Sequence, residues 1–302
     1  MSSNVTDNNT LVVSYSYVPF YREALFMVEG VLAFILNSMF LFVLARNKDL
    51  VKSKRITYHV ANLALTDTLV GFSLFFTATI RSGIVHVNID CFVWFYSIKL
   101  GALFVSVMAV LFMAIERIVV IKRPYTWKEI LTLKRVFVVI FITWITAVIL
   151  VIIPLTIGSK LSKSILFLII FSFSGIAILI ANSVIIYLLQ YRKKRRLVAI
   201  AGTQQTTNRS KEKALKLVVM QNIILAVTCG PFTVLHLTLY LCTSFSRSNC
   251  NLNIVFLYHD VLPYFHILIY TNFLVNPIIY IWRDNTYRKA FCSMFKKIRN
   301  AT

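Results

Sequence analysis

The chain has 302 residues, 58% of them hydrophobic and only 14% charged. That balance excludes one or two ordinary soluble domains, which carry about 25% charged residues. The formal net charge of +21 would suggest nucleic acid in a soluble protein, but the positive residues cluster at the ends of apolar segments, so the partner they imply is the lipid bilayer and not nucleic acid.

Seven apolar stretches are long enough for a bilayer, which takes about 20 residues each. They are residues 22–45, 56–80, 91–121, 136–157, 165–190, 215–241 and 254–282. A polar head precedes them, with glycosylation sequons at Asn4 and Asn8. The first segment carries Asn37, and Arg46, Lys48, Lys52, Lys54 and Arg55 follow it. The second contains Asn62 and Asp67. An isolated carboxylate at that depth costs several kcal/mol, so Asp67 needs partners or a proton. The third contains Lys99 and Ser106 and ends in Glu116-Arg117-Ile118, with Pro124 just beyond. Lys99 lies 18 residues before Arg117, about 27 Å along a helix axis. It can meet an anionic ligand group, pair with Glu29 or Asp260, or snorkel to the surface.

Lys122, Arg123, Lys128, Lys134 and Arg135 separate the third segment from the fourth, which carries Trp144. The next connection, about residues 156–164, is very short and has no cysteine. The fifth segment has no proline and holds Tyr187; a strongly basic connection follows. The sixth contains Cys229, Pro231 and His236. Cys242 and Cys250 share the loop after it, which allows a local disulfide; Cys91 to Cys250 is the competing pairing. The seventh holds His259, Asp260, His266, Tyr270, Asn272 and Asn276-Pro277-Ile278-Ile279-Tyr280. Its histidines read as packing residues or as a metal- or proton-sensing cluster. In the tail, Tyr287, Phe291, Met294, Phe295 and Ile298 recur at helical spacing among basic residues. That pattern predicts a short helix on the membrane surface, with Cys292 either a palmitoylation site or a free thiol. Basic odd-numbered connections and a basic tail put those parts in the cytoplasm and the N-terminus outside.

Asn37, Asp67, the Glu116-Arg117 pair, Trp144, Pro231 and Asn276-Pro277-x-x-Tyr280 each sit in their own segment, in order. Together they resemble the rhodopsin-like (class A) G-protein-coupled receptors, over about residues 22–298. The short second outer loop, the missing fifth-segment proline and the late cysteine pair are most like the melanocortin, adenosine and lipid receptor group. The resemblance implies an all-α fold: a seven-transmembrane helix bundle over 22–282, an extracellular segment 1–21, and an amphipathic helix with a short tail over 283–302. It implies a plasma-membrane protein that binds an extracellular ligand and activates a heterotrimeric G-protein.

The resemblance assigns the activation switch to Glu116, Arg117, Pro124, Tyr187, Pro231, Asn276, Pro277 and Tyr280. Arg117 would pair with Glu116 at rest. A ligand pocket would include Lys99, Cys229, His236, His266 and Tyr270. Asp67, Ser106, Asn272 and Asn276 would form a sodium pocket; a protonated Asp67 in a hydrogen-bond network is the alternative. The departures also matter. Cys229 stands where the family's aromatic toggle usually lies, and the outer disulfide from the third helix to the second outer loop cannot form. Lys99 disfavours amine ligands and suits an anionic, lipid-like or peptide ligand. No phosphate loop, metal-ligand spacing or nucleophile constellation supports an enzyme, and no cofactor is implied beyond the sodium ion. The rival readings are a non-signalling or decoy membrane protein and a small transporter, although the internal repeats a transporter would show are missing.

Overall fold

A computed structural model describes residues 20–47, 56–85, 87–123, 125–157 and 262–299, with scattered positions between 176 and 238. The main described elements are α1 (Phe20–Arg46), α2 (Ile56–Arg81), α3 (Ile89–Lys122), the one-turn α4 (Trp127–Ile130), α5 (Leu133–Ile157), α6 (Leu262–Arg283) and α7 (Asn285–Arg299); none is a strand. Five described helices are long and apolar enough to cross a membrane: α1, α2, α3, α5 and α6. They are the first, second, third, fourth and seventh predicted segments. The fifth is represented by a shorter apolar helix, Ile176–Leu188. Asn4, Asn8, Pro124, Cys229, His236, Cys242 and Cys250 lie outside the described residues, as do His259 and Asp260.

These segments are helical because a bilayer offers no water to backbone N–H and C=O groups, and a helix satisfies them within one segment. The 34-residue α3 is about 51 Å long and exceeds the apolar core of a membrane. The α2–α3 connection begins at Gly83, whose φ of 76° is the left-handed geometry that ends helices and favours glycine. Its N–H donates to the Ile80 carbonyl at 3.1 Å.

α1 and α2 form the closest helix pair. A Cβ added to Gly71 would lie 2.6 Å from the Phe34 nitrogen and 2.8 Å from the Gly30 carbonyl oxygen. A Cβ on Gly30 would lie 2.7 Å from the Phe75 nitrogen. Two glycines therefore let the backbones touch, the usual device where membrane helices pack without a hydrophobic driving force. Around this contact, Phe40, Leu63, Leu74 and Met113 are fully buried. α1 also packs on α6, and α3 packs on α2 and α5.

Asn37 joins α1 to α6. Pro277 has no N–H, so the Phe273 carbonyl four residues earlier loses its helical donor. The Asn37 Nδ2 donates to that carbonyl at 3.0 Å and to its own Ala33 carbonyl at 2.9 Å. Along α2, the buried hydroxyls of Thr66, Thr77 and Thr79 bond back to carbonyls of their own helix.

α7 is docked as well as amphipathic. The Asp284 carboxylate accepts the Thr286 N–H at 2.8 Å, an N-cap that starts the helix. Tyr287 is buried, its hydroxyl 3.0 Å from Thr57 Oγ1 and its ring between Phe40 and Tyr280. Burial pushes this phenol up to about 12, so it keeps its proton at physiological pH. Phe291 and Met294 pack against the same core. The apolar face predicted to rest on lipid is thus partly spent on the bundle.

Gly71→Leu should force α1 and α2 apart and cost about 1–3 kcal/mol or more by overpacking. The thermal midpoint of the purified full chain measures this, and an unchanged midpoint would show that the backbones do not touch.

Candidate functional site

Buried polar side chains gather at three levels along α3. The first level surrounds Lys99, which is only 3% exposed. Its ammonium stands over the Tyr96 ring at 4.7 Å and the Tyr270 ring at 5.7 Å. Tyr270 makes edge contact with Phe26 and stacks on His266, which itself meets Phe232 edge-on at 4.8 Å. Lys99, His266 and Tyr270, three residues predicted for one pocket, therefore come together.

Of the readings open to Lys99, pairing with Glu29 is not formed, and Asp260 lies outside the described residues. Glu29 on α1 faces Thr271, whose hydroxyl donates to Oε1 at 2.9 Å. The buried acid at the start of α1, Glu23, is one that sequence reasoning missed. Its Oε2 accepts from Arg81 Nη2 at 2.8 Å and Nε at 3.1 Å. The available signal was an acid at the start of an apolar segment and a cation at the end of the next one.

The second level centres on Asp67, fully buried on α2. Ser106 donates to Oδ1 at 2.9 Å and Asn276 to Oδ2 at 2.7 Å. The carboxylate therefore draws α2, α3 and α6 together, as its cost at that depth required. Asn272 is buried beside them in the sequence of α6, and its Oδ1 has no hydrogen-bond partner. These four residues offer a set of hard oxygen donors, the type that suits small hard cations.

The third level is the Glu116-Arg117 end. No ion pair within 4 Å joins these two neighbours among the described residues. Instead, Glu116 Oε1 lies 3.4 Å from His59 Nε2, and His59 stacks on Phe112. Successive helical side chains point about 100° apart, so adjacent residues do not face each other. His59, on the buried face of α2, was the residue to look for. Arg117 is part-buried, its Nε without a hydrogen-bond partner. Tyr280 is buried on α6 with its hydroxyl 3.8 Å from the Met113 sulfur. Trp144 donates to Asn62 at 2.9 Å, fastening α5 to α2.

Three predicted residues stand apart. Tyr187 is exposed and stacks on Tyr191. Pro231 lies in a helical stretch with an exposed side chain. Cys292 is an exposed free thiol, and Cys91 is also free.

The model of the seven-transmembrane receptor (rhodopsin) family matches residues 36–280. Among curated proteins, Cannabinoid receptor 1 of Xenopus laevis is 24% identical over 307 aligned residues. That alignment takes in 90% of this chain but 62% of the frog receptor, so the chain spans less than two thirds of that relative.

Asn37→Ala should leave the Phe273 carbonyl without a donor. It should lower stability by about 1–3 kcal/mol, the cost of an unsatisfied buried polar group. Thermal unfolding of the purified protein checks this, and an unchanged midpoint would mean another group satisfies that carbonyl.

Proposed function

The chain belongs to the rhodopsin family of seven-transmembrane receptors, membrane proteins without an enzymatic activity of their own, and on that premise we propose that it binds an extracellular ligand and activates a heterotrimeric G-protein. The observation that carries this reading is the three-level polar line along α3: a buried cation at one end, a bonded carboxylate in the middle, and an incompletely paired arginine at the other. Such groups are costly in a membrane, so retaining them at both ends and the centre is an argument for use.

In this reading the N-terminus is extracellular, with Asn4 and Asn8 glycosylated, and the basic connections and tail face the cytoplasm of the plasma membrane. Lys99, His266 and Tyr270 line the ligand pocket, with Cys229 and His236 completing it. The name of the frog relative, a cannabinoid receptor, favours the lipid-like choice among anionic, lipid and peptide ligands. Arg117 has a guanidinium fork that is always charged. With Glu116 turned to His59, that fork is available to the G-protein. Pro277 makes α6 the deformable helix. A shift in its kink would move Tyr280 relative to Met113 and transmit a change from Tyr270 to the cytoplasmic end. Tyr187, Pro124 and Pro231 complete the switch on the remaining segments, and a Cys242–Cys250 disulfide would close the outer loop. Cys292 is free and exposed on the membrane-facing helix, as palmitoylation requires.

Asp67, Ser106, Asn272 and Asn276 would hold a sodium ion, and the unpartnered Asn272 oxygen is the observation that fits it. When bound, the cation would supply the positive charge that Asp67 lacks. The four residues tie α2 and α3 to α6, so holding them together opposes movement of α6.

Agonist-free activation of the main Gα classes should be lost almost completely in Arg117→Ala at matched surface level. Equal signalling by that variant would sink the coupling assignment and favour a non-signalling membrane protein. Replacing choline chloride by sodium chloride should lower the agonist-free signal, and Asp67→Asn should abolish that salt difference. A salt effect that survives in Asp67→Asn would remove sodium from this pocket.

A further inference from the structure

We propose that Lys99 and Arg81 together seat the single anionic head, carboxylate or phosphate, of an amphiphilic ligand, with Glu23 as the resident counter-anion of the seat. This deepens the ligand reading above and rests on it for the role of the Lys99 end.

The argument starts from a charge imbalance. Three helices bring Glu23, Arg81 and Lys99 to the same end of the bundle. Arg81 contacts Glu23 directly, and a run of rings links it to Lys99: Arg81 lies over Phe26, Phe26 meets Tyr270 edge-on, and Lys99 lies over Tyr270. Glu23 is 1% exposed and committed to Arg81 through one oxygen, Oε2. Its Oε1 is buried without a hydrogen-bond partner; Arg22, at the rim, comes no closer than 3.9 Å. Lys99 has no carboxylate within 4 Å among the described residues and rests on two tyrosine faces. Aromatic faces stabilise a desolvated ammonium by about 2 kcal/mol, less than the several kcal/mol its burial costs. Among the described residues the seat therefore sets Arg81 and Lys99 against the one carboxylate of Glu23, with Arg22 a further cation at its rim, which leaves room for another negative charge.

The shape of the charge selects the guest. A cation or an amine is repelled twice. Arg81 has five N–H donors and meets Glu23 only through Nε and Nη2, both at a single oxygen, so its fork has donors left for a second oxyanion. A head held between Arg81 and Lys99 would take those donors and the ammonium together. The walls around the charges are aromatic: Tyr96 and Tyr270 under Lys99, and Phe26 under Arg81 at 5.6 Å. They offer an apolar surface to the rest of the ligand. One anionic head on an apolar body is the ligand class that matches.

The test uses the purified full chain in phosphatidylcholine nanodiscs and equilibrium binding of three radiolabelled probes: oleate, 1-oleoyl-lysophosphatidate and uncharged monoolein. At least one anionic probe should bind about thirtyfold tighter than monoolein, and which one does so identifies the head as carboxylate or phosphate. Lys99→Met and Arg81→Gln should each weaken that probe about tenfold, whereas Arg81→Lys, which keeps the charge, should stay within about threefold of wild type. Glu23→Gln should tighten it about threefold by removing the competing carboxylate. The proposal is overturned if neither anion outbinds monoolein, or if Arg81→Gln binds as wild type does. Agonist-free G-protein activation keeps the two readings apart. Signalling that depends on Arg117 without anion preference overturns the seat alone, whereas anion preference without signalling overturns the receptor reading alone.

Discussion

A bilayer core contains no water, so each polar group taken into it must find a partner inside the protein. Pro277 puts this constraint in its sharpest form. It strips the Phe273 carbonyl of its helical donor, and the replacement comes from another helix, through Asn37. That bond fixes the rotation of α1 against α6. The Gly30–Gly71 contact then holds α2 against α1 at backbone distance. With those two relations fixed, Glu23 meets Arg81, Glu29 meets Thr271 and Thr57 meets Tyr287.

Polar satisfaction is nevertheless uneven, and the exceptions are grouped. Among the described residues, Glu23 Oε1 and Glu29 Oε2 remain without hydrogen bonds at one end, Arg117 Nε, Glu116 Oε1 and His59 Nδ1 at the other, and Asn272 Oδ1, Asn37 Oδ1 and Ser73 Oγ between them. Each would be expensive if it served packing alone. On the proposed reading, the outer, central and inner ones are the places where a ligand, an ion and a protein partner would act. The apolar majority between them is close-packed, and close-packed cores pass a displacement from one end to the other as discrete rearrangements.

Much of this was legible in the chain. The apolar lengths located the five described spans, and helical spacing after Trp282 located α7. The need for partners around Asp67 was a matter of energy alone, and Ser106 and Asn276 supply them. The choice among rival partners was not legible. Glu29 was one of several partners open to Lys99, and Glu116 was expected to find Arg117; Glu29 instead faces Thr271, and Glu116 faces His59. Glu23 and Arg81, 58 residues apart, showed only that one begins an apolar segment and the other ends the next, which does not by itself pair them.

The reason is geometric. Hydrophobicity and proline positions are properties of a segment, so the amino-acid sequence by itself determined the membrane class, the helical fold, the proline within α6 and the inventory of costly polar groups. Which of those groups face each other depends on how far each helix is rotated about its axis and shifted along it. A rotation of one residue, about 100°, turns a core-facing side chain toward lipid. Only the tertiary structure sets those rotations, through backbone contacts as close as Gly30 on Gly71. It therefore decided that Lys99 rests on tyrosines with a second cation nearby, and that the arginine at the far end is left partly unpaired.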